Sequence, residues 1–124
     1  MRGHLPIMTT AAALLLAVAC GGGEGDTPAQ AGDQIAAGQQ AFERNCMGCH
    51  GAQGRGSDVG PPLVHEVYEP GHHDDESFRR AVREGVVPHH WDFGPMPAFP
   101  GVPDEDIEAI IAYVRHLQRD AGIE

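Results

Sequence analysis

Two cysteines and a histidine lie within five consecutive residues, Cys46-Met47-Gly48-Cys49-His50, and this motif constrains the chain more than any other feature. The Cys-x-x-Cys-His spacing is typical of c-type haem attachment. Both thiols can add to the haem vinyl groups while the adjacent imidazole reaches the iron. We therefore expect one covalent haem c, attached through Cys46 and Cys49, with His50 as the proximal iron ligand.

Two other chemistries use a Cys-x-x-Cys pair, namely thioredoxin-like redox exchange and zinc binding. A redox pair of that kind should follow a buried strand in a βαβ pattern, and the sequence shows no such pattern. A zinc site would need a second ligand pair at suitable spacing, but the chain has 3 Cys in all. Haem attachment is therefore the favoured interpretation.

Composition and charge narrow the class of protein further. With 124 residues, 17 Gly and 10 Pro, the chain can bury only a small core, and such domains usually need an internal prop. A bound haem could act as that internal support, since its apolar faces can replace missing side chains.

The 18 Asp and Glu outweigh the 8 Lys and Arg, giving a net charge of −10. This balance argues against nucleic-acid binding and favours a redox protein partner with a basic docking surface.

The N-terminus has the layout of an export signal, a short basic start followed by an apolar run that is too short to span a membrane. Residues 16–20, Leu-Ala-Val-Ala-Cys, resemble the bacterial lipobox, in which the cysteine is acylated and becomes the new N-terminus. We predict a lipoprotein signal peptide over residues 1–19 and lipidation of Cys20. The alternative is ordinary signal-peptidase cleavage near Ala19, which would leave Cys20 a free thiol.

After Cys20 the composition predicts a tether and then a single domain. Residues 20–33 are rich in Gly and polar side chains and have little to bury, which predicts a flexible tether. Residues 34–124 form the predicted domain. The expected location is therefore outside the cytoplasm, as a membrane-anchored lipoprotein facing the periplasm or the outer face of the cytoplasmic membrane.

Apolar spacing predicts helices on both sides of the motif. Residues 34–45 lead into it with one apolar face, residues 74–84 form a shorter helix, and a third helix starts at Asp104. The apolar stripe of that third helix comprises Ile107, Ile110, Ile111, Val114 and Leu117. No run of alternating strands is evident, so we predict an all-α domain with three to four helices packed around one covalently bound haem.

The order of these segments resembles the class I (monohaem) cytochrome c family over roughly residues 34–118. Gly38 and Phe42 resemble the family's contact surface for its terminal helix, where Ala112-Tyr113-Val114 matches the partner surface. Two further segments resemble family loops, namely Gly60-Pro61-Pro62-Leu63 and Gly94-Pro95-Met96-Pro97-Ala98-Phe99. The resemblance implies a cytochrome c-like fold, and it implies that the Pro61 carbonyl accepts a hydrogen bond from the His50 ring.

The distal iron ligand can also be argued from the residues alone. Met47 lies inside the attachment motif, and Met1 and Met8 would leave with the signal peptide. Met96 remains, on a proline-rich segment, and a thioether ligand favours ferrous iron, as suits an electron carrier. We predict Met96 as the second axial ligand. In the alternatives, Met96 packs against the core, or a histidine from the His89-His90 doublet takes its place.

Three other features near these segments have open roles. The Trp91 indole N–H could donate to a haem propionate, or the ring could be a core aromatic. The doublets His72-His73 and His89-His90 could bind copper or zinc, since imidazole suits both ions. Otherwise these histidines are solvated loop residues.

The sequence as a whole predicts a monomeric electron carrier rather than an enzyme, held at the membrane by its lipid and serving redox proteins of the bacterial envelope. Two other functions stay open. One is a haem enzyme or a sensor of peroxide or gas, which would need a labile distal ligand. The other is a fixed relay subunit of a larger oxidase or reductase.

Overall fold

The computed structural model describes Met1 and residues 27–123. Cys20 and the rest of residues 2–26 lie outside the described residues, so the predicted signal peptide and lipidation stay predictions. Within residues 27–123 no strand forms, and the only bridge is an isolated antiparallel one between Val86 and Met96. The all-α prediction is confirmed. The helices are α1 (Pro28–Asn45), α2 (Met47–His50), α3 (Asp75–Glu84) and α4 (Asp104–Asp120), with 3₁₀ turns at Ala52–Gly54 and Glu66–Tyr68.

Helix α1 begins earlier than predicted. Its N-terminus is a capping box, in which the Thr27 side chain accepts from the Gln30 backbone N–H and the Gln30 side chain accepts from the Thr27 N–H. Pro28 at the first helical position is preorganised for this start. Residues 28–33, which the sequence analysis assigned to the tether, are therefore helical, and the predicted helix start at Gln34 is wrong.

Helices α1 and α4 cross where α1 has a glycine. A Cβ built on Gly38 would overlap the Ala109 carbonyl oxygen and lie 2.8 Å from Tyr113 Cβ, so only glycine allows this approach. One turn later, the buried Phe42 ring meets the Tyr113 ring edge-on, with centroids 5.7 Å apart. This crossing is the centre of the core. It also fixes the position of the C-terminal end of α1, where Cys46 follows.

The apolar stripe predicted on α4 is its buried face. Ile107, Ile110, Ile111 and Val114 are all at most 4% exposed, and the half-buried Leu117 packs against them.

Helix α3 has its predicted extent, because the Asp74 side chain accepts from the Ser77 N–H and Gly85 ends the helix. Phe78 and Val82 of α3 pack against the same core.

Candidate haem-binding site

The Cys-x-x-Cys-His motif forms the single turn of α2 directly after α1. The Cys46 N–H donates to the Phe42 carbonyl at 2.8 Å, which ends α1, and the His50 N–H donates to the Cys46 carbonyl at 2.9 Å. A helical turn brings residues three and four positions apart to one side. Cys46, Cys49 and His50 consequently line the same cavity.

Cys46 is half-buried and Cys49 is exposed, and the two are not joined in a disulfide. Burial, and then the nearby Cys49, raise the pKa of the Cys46 thiol to about 11. With its pKa raised in this way, Cys46 lacks the low-pKa thiolate that is typical of a thioredoxin-like redox cysteine.

His50 is held by the Gly60–Pro61 segment. The His50 ring is 8% exposed, and its Nδ1 lies 2.9 Å from the Pro61 carbonyl oxygen, the contact that the resemblance implies. Burial lowers the pKa of His50, although the bond to Pro61 opposes the shift, so the ring is neutral at pH 7. With its proton on Nδ1, the ring presents the lone pair of Nε2, which is what an iron ligand needs.

Gly60 brings that carbonyl into position. A Cβ on Gly60 would lie 2.6 Å from the Cys49 carbonyl oxygen, so the segment passes directly against α2. The Ser57 hydroxyl adds a second tie between the loop and α2 by donating to the same Cys49 carbonyl at 2.5 Å. The orientation of His50 is thus fixed by backbone packing as well as by its own hydrogen bond.

Met96 is fixed to the end of α3 by backbone hydrogen bonds. Val86 and Met96 exchange both N–H donors and carbonyl acceptors at 3.0 Å, and the Phe99 N–H donates to the Val82 carbonyl at 2.7 Å. Gly85 permits the approach, because it has φ +79° and a Cβ there would lie 2.5 Å from the Met96 carbonyl oxygen. The half-buried Met96 lines the same cavity as the motif. No pattern in the sequence predicts this bridge.

The cavity has about 640 Å³ of open space, including its mouth, and its walls are mainly apolar. The apolar side chains come from α3, from the segment after Met96 and from α4, and include Val82, Phe99, Val102 and Ile110. Cofactor sites typically have mainly apolar walls with a few placed polar groups. Two thiols, a neutral imidazole and a thioether on one apolar cavity fit a haem c.

The Trp91 side chain contacts Tyr68 and His65. Its indole N–H donates to the Tyr68 hydroxyl at 3.2 Å, and Trp91 is not among the residues that line the cavity. Its ring also meets His65 edge-on, with centroids 5.0 Å apart. A propionate contact would need the Trp91 N–H to leave the Tyr68 hydroxyl, and this contact stays a prediction.

The two histidine doublets meet each other away from the cavity. Ring nitrogens of His72, His73 and His90 all lie within 4.8 Å of one another. None of these three residues lines the cavity, so they are not placed to replace Met96 there. The sequence could suggest the four histidines as a group, but it contained no signal that the two loops converge.

Among the residues that the structure describes, no helix is both long enough and apolar enough to cross a bilayer.

The chain is similar in sequence to known haem proteins. A family model described as Cytochrome c matches residues 35–118. One curated relative, named Cytochrome c oxidase subunit 2, from Alkalihalophilus pseudofirmus, is 38% identical over 88 residues. The match covers 65% of this chain but only 25% of that relative, so the chain corresponds to about a quarter of the relative's length. No solved structure matches the chain.

Proposed function

Because the chain belongs to the cytochrome c family, and is therefore a haem-binding electron-transfer protein, we propose that it is a monomeric one-haem carrier with His50 and Met96 as axial ligands. One observation carries the proposal. The attachment motif and Met96 line a single apolar cavity, although 46 positions separate His50 from Met96 in the sequence. The attachment residues are Cys46 and Cys49, and the bound haem supplies a one-electron ferric–ferrous couple.

With haem bound, the residues around the cavity would hold the two iron ligands, His50 and Met96, in place. Pro61 holds the proton on Nδ1 of His50, and the Val86 bridge holds the backbone of Met96. Prearranged ligands need little movement between oxidation states, and a thioether raises the reduction potential relative to a second imidazole. Apolar walls such as Phe99 and Ile110 exclude water from the cavity. These properties favour electron transfer over chemistry at an open iron site.

Met96→Ala tests the ligand set. The wild-type ferric protein should be low-spin and show the weak sulfur-to-iron charge-transfer band. The variant should lose that band, become partly high-spin and bind carbon monoxide in the ferrous state. Met96→His should retain six ligands at a lower potential. Optical and magnetic spectra of the purified protein in both redox states measure these changes.

Met47→Ala is the matched control for this test. Met47 is 41% exposed and does not line the cavity, so its removal should leave every spectrum unchanged. A wild-type protein that lacks the sulfur band, or that binds carbon monoxide freely, would contradict ligation by Met96. The haem enzyme or gas sensor would then be the better account.

A relay domain in a terminal oxidase is the second candidate, and the similarity to Cytochrome c oxidase subunit 2 of Alkalihalophilus pseudofirmus favours it. In that case the electron passes within one assembly rather than between diffusing proteins. We propose that in either case the partner docks through a basic surface, because the net charge of −10 steers such encounters.

We also propose that Cys20 carries lipid and anchors the protein outside the cytoplasm. Lipid at one end raises the effective concentration of the domain near membrane redox complexes without any new contact. In membranes of an expressing bacterium, the wild-type protein should pellet and be released by detergent but not by salt. Cys20→Ser should yield a soluble exported haem protein with an unchanged spectrum.

Mass spectrometry and size separation of the detergent extract complete this test. An acylated N-terminal Cys20 supports the anchor, whereas a soluble wild-type protein with an unmodified N-terminus contradicts it. Elution as a single small haem protein favours the free carrier. Elution together with oxidase subunits favours the relay.

A further inference from the structure

The two histidine doublets flank the two ends of α3 in the sequence and lie close together in the structure. His72 and His73 lie in the turn before the helix, and His89 and His90 lie in the segment after it. His72 Nε2 and His90 Nε2 are 3.3 Å apart, and a ring nitrogen of His73 lies within 4.8 Å of both residues' ligand atoms. His72 and His90 are exposed and His73 is half-buried, so solvent and small ions can reach the cluster.

The spacing of these nitrogens suits a metal ion. Two imidazole nitrogens bound about 2.0–2.1 Å from a tetrahedral ion lie about 3.3–3.4 Å from each other. The separation between His72 Nε2 and His90 Nε2 has this value. A hydrogen bond between two neutral imidazoles has a similar length, so the third ring, His73, distinguishes a metal site from a simple His72–His90 pair.

His73 supplies that third group with its orientation already set. Its Nδ1 lies 2.6 Å from the Val67 carbonyl oxygen, which fixes the ring proton on Nδ1 and leaves the Nε2 lone pair for a ligand. Metal-binding histidines almost always donate their other ring N–H in this way. His89 makes the same kind of contact, with its Nδ1 3.0 Å from the Val87 carbonyl, and its ring stacks on His73.

We propose that His72, His73 and His90 bind one first-row divalent transition-metal ion, of the imidazole-preferring kind represented by Zn²⁺ and Cu²⁺. Three imidazoles leave a fourth position to solvent, which is a common arrangement for both ions. The ion would tie the turn before α3 to the segment that leads to Met96. The site does not depend on the proposed haem ligation, because no histidine of the cluster lines the haem cavity.

Titration calorimetry tests the site on the full-length, haem-loaded ferric protein without a polyhistidine tag. Zinc chloride should give one saturable site per chain. His72→Ala and His90→Ala should each weaken binding at least tenfold, because each removes one of three ligands. His116→Ala is the matched control, since His116 lies on α4 beside Asp120 and outside the cluster, and it should leave zinc affinity unchanged.

Copper provides a spectroscopic check on the same protein. One equivalent of Cu²⁺ should give an electron paramagnetic resonance signal with nitrogen hyperfine structure that His90→Ala changes and His116→Ala does not. The haem spectrum of each variant reports separately on folding and on axial ligation. Unsaturable zinc binding, or equal affinity in His90→Ala and His116→Ala, would overturn the metal site while leaving the haem proposal intact.

Discussion

Replacing Gly38 by alanine is expected to destabilise the domain by about 2–4 kcal/mol, because α1 and α4 could no longer approach each other at their crossing. The added methyl group would overlap the Ala109 carbonyl and press on Tyr113 Cβ. Neither atom is the end of a flexible side chain, so the helices themselves would have to separate. The higher helix propensity of alanine would offset only about 1 kcal/mol of this loss.

Thermal unfolding of the haem-loaded protein, followed by far-ultraviolet circular dichroism, measures this effect. For a domain of this size the expected loss corresponds to a Tm lower by about 10–30 °C. Gly32→Ala is the matched control, because Gly32 lies on the same helix, is exposed and has no atom within 4 Å of its added Cβ. The control should be as stable as the wild type or slightly more so. Equal Tm values for the two variants would mean that the crossing can open freely.

Replacing Arg115 by methionine is expected to cost about 2–4 kcal/mol of stability, because a buried guanidinium organises the loop between α2 and α3. Arg115 donates to the carbonyls of Tyr68 and His73 at 2.7 and 2.5 Å and to the Asp75 carboxylate at 2.8 Å. Its guanidinium carbon also lies 4.7 Å from the centre of the Phe78 ring. Methionine can fill the space but can satisfy none of these acceptors.

Urea unfolding compares this variant with Arg119→Met, its control on the same helix. Arg119 is exposed near the end of α4, so its replacement should change the free energy of unfolding by no more than about 0.5 kcal/mol. In Arg115→Met the Tyr68 carbonyl would still accept a hydrogen bond from the Gln118 side-chain amide, 3.0 Å away. This remaining bond limits the stability that the variant loses. If both variants unfold at the same urea concentration, Arg115 does not hold the loop.

The parts of the structure that the sequence predicted are those with local signals. The stripe from Ile107 to Leu117 repeats at helical spacing, and Asp74 and Gly85 are ordinary residues at the two ends of a helix. The attachment motif is likewise a local pattern, because its three functional groups lie within one turn. Each of these predictions needed only neighbouring residues, and the structure has the corresponding elements.

The remaining features depend on how distant segments pack. The Val86–Met96 bridge joins two residues in a segment with no alternating pattern, and the Trp91 N–H has its partner in Tyr68, far away in the sequence. The convergence of the doublets likewise requires α3 to carry its flanking loops to one side of the molecule. The early start of α1 is different, because its capping signal, Thr27-Pro28 followed by Gln30, is local and is present in the sequence.

The contact between α1 and α4 has a consequence for loop length. It closes a stretch of 58 residues, Cys46 to Pro103, counted from the helix bounds as 103 − 46 + 1. The entropy lost in closing such a loop grows only as the logarithm of its length, so ten extra residues near the exposed Asp58 would add about 0.1–0.2 kcal/mol. Insertions near Asp58 should therefore change the free energy of unfolding very little, provided that Pro61 still reaches His50. The helix crossing has no comparable tolerance, because a single methyl group at Gly38 is enough to force it apart.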